Sequence, residues 1–137
     1  MKKWFGSSGV CLNSNGEVLM VLQGKTDEDK TWSIPSGGKE GNETFEECCI
    51  REVHEETGYD IKIIKKLKVK EGISEEHNLS YEVHYFLIQV VGGERNVQDP
   101  DGLIHDIQWK SVNEIEDLVL SFPEDRDFLM KMFNRLE

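Results

Sequence analysis

The stretch I-P-S-G-G-K-E-G-N-E-T-F-E-E-C-C-I-R-E-V-H-E-E-T-G-Y, from Ile34 to Tyr59, decides how the rest of the chain is read. A glycine turn feeds an acidic helix. On that helix Glu52, Glu55 and Glu56 stand at i, i+3 and i+4, which at about 100° per residue confines them to an arc of roughly 100° on one face. Like charges at that spacing repel by several kcal/mol at an effective dielectric of about 20. The arrangement therefore makes sense chiefly beneath a cation, and the stretch reads as a divalent-metal site.

The limits of this helix are written in the sequence. Thr44 with Glu47 three residues on has the form of a capping box, in which each side chain satisfies an orphan N–H. Gly58 can adopt the left-handed conformation that ends a helix. Between them Phe45, Cys49, Val53 and the neighbouring Ile50 make an apolar stripe beside the carboxylate arc, so one flank can pack on a core while the acidic edge lines a cleft. Arg51 lies four residues after Glu47 and four before Glu55, within reach of either.

Counted from Gly37, five residues lead to Glu43 and seven more to Arg51, after which Glu52, Val53, His54, Glu55, Glu56, Thr57, Gly58 and Tyr59 follow. This pattern resembles the signature box of the Nudix hydrolases, the MutT-type pyrophosphohydrolases. The resemblance implies an α/β (α+β) fold, a Nudix-type α/β/α sandwich with a mixed central sheet and helices on opposite faces. It implies a metal held by Glu52, Glu55 and Glu56, with the backbone carbonyl of Ser36 as a further ligand, and Arg51 orienting the glutamates by ion pairing. Gly37, Glu43 and Gly58 are the structural positions of the box. Glu55 is the first candidate for general base, and Glu55, Arg51 and Glu52 form the catalytic set. Two positions depart from the family pattern. Ser36 stands where a glycine is usual, and Asn42 replaces the glycine before Glu43; Asn tolerates positive φ and is expected to keep the turn.

An all-oxygen donor set suits Mg2+, with Mn2+ possible, and disfavours zinc. Such a metal neutralises a diphosphate bridge and lowers the pKa of a bound water that attacks phosphorus. The expected reaction is cleavage of the pyrophosphate linkage of a nucleoside diphosphate joined to another moiety, foremost a nucleoside triphosphate or oxidised nucleotide. Gln23 and Lys25 stand where relatives often carry a phosphate-binding basic residue, and a solvated loop is an equal reading of the pair; Gly37, Gly38 and Asp101 are further candidates for substrate contact. A carboxylate of the box or one from a later loop could serve as the base, and after Glu55 the resemblance makes Asp101 and His105 weaker candidates, because Leu103 occupies the position where relatives often carry an acid. No proline lies between Gly58 and Asp99, which lowers the case for ADP-ribose as substrate. A competing reading is a non-catalytic Nudix-like regulator that binds a nucleotide or nucleotide sugar; the intact box counts against it. A structural calcium site ranks last, because the carboxylates lie on a helix and not in a spaced loop.

The wider chain sets bounds. Its 137 residues suit a single domain spanning 1–137. A net charge of −11 argues against a nucleic acid polymer as partner but not against a small phosphorylated substrate, which a divalent cation would bridge. No apolar run is long enough to span a bilayer, and the first residues lack the apolar core of a secretion signal, so a cytoplasmic protein without membrane partners is expected. The resemblance leaves monomer and homodimer open. Cys11, Cys48 and Cys49 do not make a disulfide framework and read as small hydrophobes, with Cys48 beside the carboxylate arc.

Around the box, Ser7–Leu12 and Val18–Gln23 read as a hairpin through Asn13-Ser14-Asn15-Gly16. Trp32–Pro35, Ile61–Val69, Leu79–Val91 and Ile104–Lys110 read as strands, with one buried face expected around Tyr81, Val83, Tyr85 and Leu87. Gly92–Gly102 reads as a loop with a turn at Asp99-Pro100-Asp101-Gly102. A short helix is expected over Val112–Leu118 and an amphipathic one over Pro123–Leu136, with Phe128, Leu129, Met132, Phe133 and Leu136 inward. His54 and His77 read as surface residues, and Trp32 and Trp109 as core packing.

Overall fold

The structure is a computed structural model that describes residues 1–97 and 101–136. It runs β1 (Lys2–Cys11), β2 (Val18–Gln23), β3 (Thr31–Ser33), β4 (Ser36–Gly38), α1 (Phe45–Thr57), β5 (Tyr59–Ser74), β6 (Leu79–Gly93), β7 (Ile104–Lys110), α2 (Val112–Asp117) and α3 (Asp125–Leu136). The class is the expected α/β (α+β). The strands divide between two sheets: β4-β1-β6-β5, mixed because β1 is antiparallel to β4 and parallel to β6, and the antiparallel β3-β2-β7.

Successive residues of a strand point to opposite faces, and the middle strands use both. Val10, Val18, Met20, Val83 and Tyr85 pack with Ile115, Leu129 and Phe133 of α2 and α3. Their neighbours Cys11, Leu19, Val21, Phe86 and Ile88 pack with Cys49 and Val53 of α1. The strands are thus layered between α1 and the α2–α3 pair, as expected of helices on opposite faces. Each fully buried aliphatic side chain contributes about 1.5–3 kcal/mol. Ser7 Oγ, donating to Phe45 O at 2.7 Å, ties the start of α1 to β1. Among the described residues no helix is long and apolar enough to cross a membrane.

Several local expectations change. The Asn13–Gly16 turn forms, with Gly16 N donating to Asn13 O at 3.1 Å and Asn13 N to Glu17 O at 3.0 Å. The hairpin does not continue beyond the bridge between Leu12 and Val18, because both edges of β1 are taken by β4 and β6, which leaves β2 to pair with β3 and β7. The glycine turn contains a strand of its own, β4. β6 buries both faces between Val83 and Phe86, not one, since it lies inside its sheet and α1 covers its second side. In the turn before Glu43 it is Gly41, at φ +51°, and not Asn42 that takes the left-handed conformation. Ile50 is exposed; the buried flank of α1 is Cys48, Cys49, Val53 and Thr57, rotated toward β4. β1 and β5 are longer than expected at their outer ends. Asp99 and Pro100 of the expected turn, and the side chain of Leu136, lie outside the described residues.

α1 carries the expected capping box, with Thr44 Oγ1 accepting from Glu47 N at 3.0 Å and Glu47 Oε1 accepting from Thr44 N at 2.8 Å. It ends at Gly58, whose φ is +83° and whose N–H donates to His54 O. A Cβ on Gly58 would come within 2.2 Å of Glu94 O, so the stop is set by contact as well as by torsion. Gly58→Ala should therefore destabilise the fold by more than the roughly 1–2 kcal/mol of a left-handed alanine alone. Urea denaturation measures this, and an unchanged midpoint would contradict it.

Candidate active site

Arg51 is the centre of the acidic face. Its Nε donates to Glu43 Oε2 at 3.0 Å and its Nη2 to Glu43 Oε1 at 2.6 Å, a two-point pairing of planar groups. Nη2 also donates to Gly38 O at 2.8 Å, while Nη1 donates to Glu52 Oε1 at 2.7 Å and Glu55 Oε2 at 3.2 Å. One guanidinium thus joins the turn, the strand before it and the helix. Arg51 reaches Glu55 as its spacing allows, but not Glu47, whose carboxylate is committed to the helix cap.

The surroundings of each carboxylate differ. Glu43 is held well below the ordinary carboxylate value, to about 2, first by its hydrogen bonds from Arg51. Burial pushes the Glu52 carboxyl above its ordinary value, against the pull of Arg51. Glu56 accepts from the backbone N–H of Ser36 at 3.1 Å, which brings the helix against β4. The close approach depends on Gly37, where a Cβ would lie 2.1 Å from the Glu52 carboxyl carbon. Cys48 of α1 abuts the same strand, with Sγ 3.6 Å from Gly37 O, and burial pushes its thiol up to about 11. Cys11 and Cys49 are likewise raised by burial, to about 11 and about 12, so all three thiols stay protonated near neutrality.

The other side of β4 opens on a cleft of about 360 Å3, a feature sequence reading missed. Its floor is the face of the four-stranded sheet that α2 and α3 leave uncovered, including Ser36, Ser8, Tyr81 and Lys70; Phe122 and Glu124, just before α3, form a wall. Trp4 lies flat over two glycines. A Cβ at Gly6 would approach its Cη2 to 2.5 Å, and one at Gly38 its Nε1 to 3.1 Å. The indole remains 41% exposed, which leaves an apolar ring available for stacking. No local pattern in the sequence marks Trp4. Its role depends on the parallel register that sets it beside Tyr81, a pairing between residues far apart in sequence.

The remaining candidates fall elsewhere. Gln23 Nε2 donates to Ser33 Oγ at 2.6 Å, and Lys25 is exposed in the loop after β2, its backbone N–H donating to Glu28 Oε1. His105 Nε2 lies 2.8 Å from Gly24 O, at the same end of the three-stranded sheet, and Asp101 is exposed in the segment before β7. His54 is a surface residue 3.0 Å from Asp60, and His77 is exposed but borders the cleft. Trp32 and Trp109 pack against the two core clusters, as expected. Among the described residues no three acidic, histidine or cysteine side chains converge as a ligand set; Arg51 draws Glu52 and Glu55 toward itself.

The family model described as NUDIX domain matches residues 4–132. The 8-oxo-dGDP phosphatase of Mus musculus is 37% identical over 84 residues, covering 61% of this chain and 24% of that protein. The RNA pyrophosphohydrolase of Haemophilus influenzae is 30% identical over 106 residues, covering 64% and 50%. The chain spans between about a quarter and about half of the length of the curated relatives it matches. Among solved structures, a NUDIX hydrolase from Nitrosomonas europaea has a TM-score of 0.85 at 20% identity, covering 98% of this chain and 90% of that one. A MutT protein from Methanosarcina mazei Go1 has a TM-score of 0.78 at 20% identity, covering 98% and 95%. At that identity the likeness is one of fold.

The Glu43–Arg51 pairing carries a pH signature. Because the folded-state pKa of Glu43 is depressed, its stabilisation is full above the ordinary value of 4.5 and is lost as pH falls through about 2. Denaturation of the wild type and Glu43→Gln across this range should show a stability gap that is constant above about pH 5 and narrows toward pH 2. A gap independent of pH would show that the carboxylate charge is not what the pairing uses.

Proposed function

This chain belongs to the NUDIX family, and from that premise we propose that it is a Mg2+-dependent pyrophosphohydrolase acting on a nucleoside diphosphate joined to another group, with a nucleoside triphosphate or its oxidised form as the favoured substrate. The observation that carries the reading is the shared strand β4. Its Ser36 N–H holds the Glu56 carboxylate while Ser36 also borders the aromatic cleft, so the acidic face and a base-sized groove adjoin. The names of curated relatives, an 8-oxo-dGDP phosphatase and an RNA pyrophosphohydrolase, agree with phosphoanhydride chemistry.

The residues present fit a hard divalent ion by donor chemistry: Glu52, Glu55 and Glu56 offer only oxygen, the Ser36 carbonyl adds a neutral one, and the missing Cβ of Gly37 leaves room for the Glu52 carboxylate. When bound, Mg2+ (or Mn2+) supplies charge neutralisation of the diphosphate and a water of lowered pKa. The protein's own part is positional. Arg51 fixes Glu52 and Glu55 relative to Gly38 and the turn. Glu55, more exposed than Glu52 or Glu43, is the carboxylate we assign to receive the proton of the attacking water. The water oxygen then bonds to phosphorus as the bridging P–O bond breaks, and the bridging oxygen leaves with the departing phosphate. Trp4 and Tyr81 offer rings against which the base can stack, fixing the nucleotide while the phosphates face β4.

Glu55→Gln and Glu56→Gln should each slow release of nucleoside monophosphate by about 10²–10⁴-fold, and chelation by EDTA should abolish it. Chromatography of a nucleoside triphosphate incubated with Mg2+ reads the product. Wild-type turnover in both variants would remove the site assignment.

A further inference from the structure

The end of the cleft away from β4 carries a charged cluster that neither the acidic face nor the box explains. Lys70 Nζ lies 3.2 Å from Glu124 Oε2 and 3.5 Å from Asp125 Oδ1. Asp125 is 5% exposed and accepts from Tyr85 Oη at 2.7 Å, so its carboxylate is fixed from the core side. The ammonium also sits 5.0 Å above the Phe122 ring and 5.4 Å from that of Tyr85. Lys70 is therefore held by a buried carboxylate and two rings, while Glu124, exposed at 51% of its side chain, can turn into the cleft.

Sheet order places this cluster. Ser36 is on β4 and Lys70 on β5, at opposite edges of β4-β1-β6-β5. Three strand spacings separate them, about 14 Å. Lys68, whose ammonium lies 4.7 Å from the Tyr85 ring and also interacts with both carboxylates, makes the Lys70 end two cations against two carboxylates. Balanced in charge, it accepts a neutral polar edge, while phosphates belong at the Ser36 end beside the acidic face, where a divalent cation would bridge them. A ligand with phosphates at the Ser36 end would thus present its base to Lys70 and Glu124. Lys70 has three N–H donors and no acceptor, two of them directed to carboxylates, and Glu124 only accepts. Around them the cleft is apolar, with Leu79, Val83 and Phe122.

We propose that Lys70 and Glu124 are a specificity-determining pair that reads a cyclic-amide edge, the carbonyl oxygen at Lys70 and the adjacent ring N–H at Glu124, so that the cleft favours hypoxanthine- or guanine-type bases over adenine. Adenine in the same placement sets an amino group against the ammonium and a ring nitrogen lone pair against the carboxylate, so donor faces donor and acceptor faces acceptor, and neither protein group gains a ligand partner for the water it gives up. Sites built to pair a polar group reject analogues that lack it far more strongly than apolar pockets do.

This inference rests on the cleft being the nucleotide site, and the test separates the two. Inosine and adenosine, which carry no phosphoanhydride, are titrated without metal into the intact protein while NMR follows the Trp4 indole N–H. Inosine should bind at least about tenfold more tightly, a difference of about 1.4 kcal/mol. Lys70→Met and Glu124→Ala should each bring the two nucleosides within about threefold of one another. Glu124 is on the surface, so its variant keeps the test available if loss of Lys70 beside buried Asp125 unfolds the chain. Equal affinities in the wild type, no response at Trp4, or a preference that survives both substitutions would overturn the pair's role. Hydrolysis of inosine 5′-triphosphate is assayed in parallel: an intact preference without hydrolysis would count against the enzyme reading alone.

Discussion

A single guanidinium reconciles the like charges on which the acidic face is built. Glu43, Glu52 and Glu55 all bond Arg51, and the same side chain takes the carbonyl of Gly38. Unpaired and partly buried carboxylates would each carry a desolvation cost, so the face could not persist in this form around a neutral residue. Because the partners lie on the turn, on β4 and on α1, the pairing fixes the helix against the strand as much as it balances charge. The planar two-point contact with Glu43 gives it direction that a lysine could not supply.

β4 is only three residues long, yet it is the partition between the acidic face and the cleft. Gly37 faces α1 and allows the Glu52 carboxylate to approach its backbone; Gly38 lies beneath Trp4 on the cleft side. A side chain at Gly37 would meet the Glu52 carboxylate, and one at Gly38 the Trp4 indole. Ser36 alone of the three carries a side chain, and it stands where the floor of the cleft and the Glu56 carboxylate share one backbone.

What the sequence made legible is local. The capping box, the Gly58 stop, the carboxylate arc and the identity of Arg51 as its partner all follow from residues a few positions apart, and each is present. The features that were not legible depend on pairing across the chain. The separation of β1 from β2 follows from the occupation of both β1 edges by distant strands, and the burial of both faces of β6 follows from α1 lying over a sheet whose order periodicity does not encode. Trp4 and Lys70 come to one cleft only through the registers of β1 and β5 on β6. Asn42 shows the same limit at short range: two neighbouring residues could take the positive φ, and glycine, having no Cβ, takes it at lower cost.

β5 is sixteen residues long and forms an open margin of the four-stranded sheet, with one row of backbone amides and carbonyls unpaired by any strand among the described residues. Such a margin invites a second chain to extend the sheet and so start aggregation. Here it carries the exposed Lys62, Lys65 and Lys66, and its register against β6 shifts three times. Two copies brought margin to margin would oppose ammonium to ammonium along a backbone too irregular to zip. In a chain whose net charge is −11, that concentration of cations gives the exposed strand its own protection against self-association.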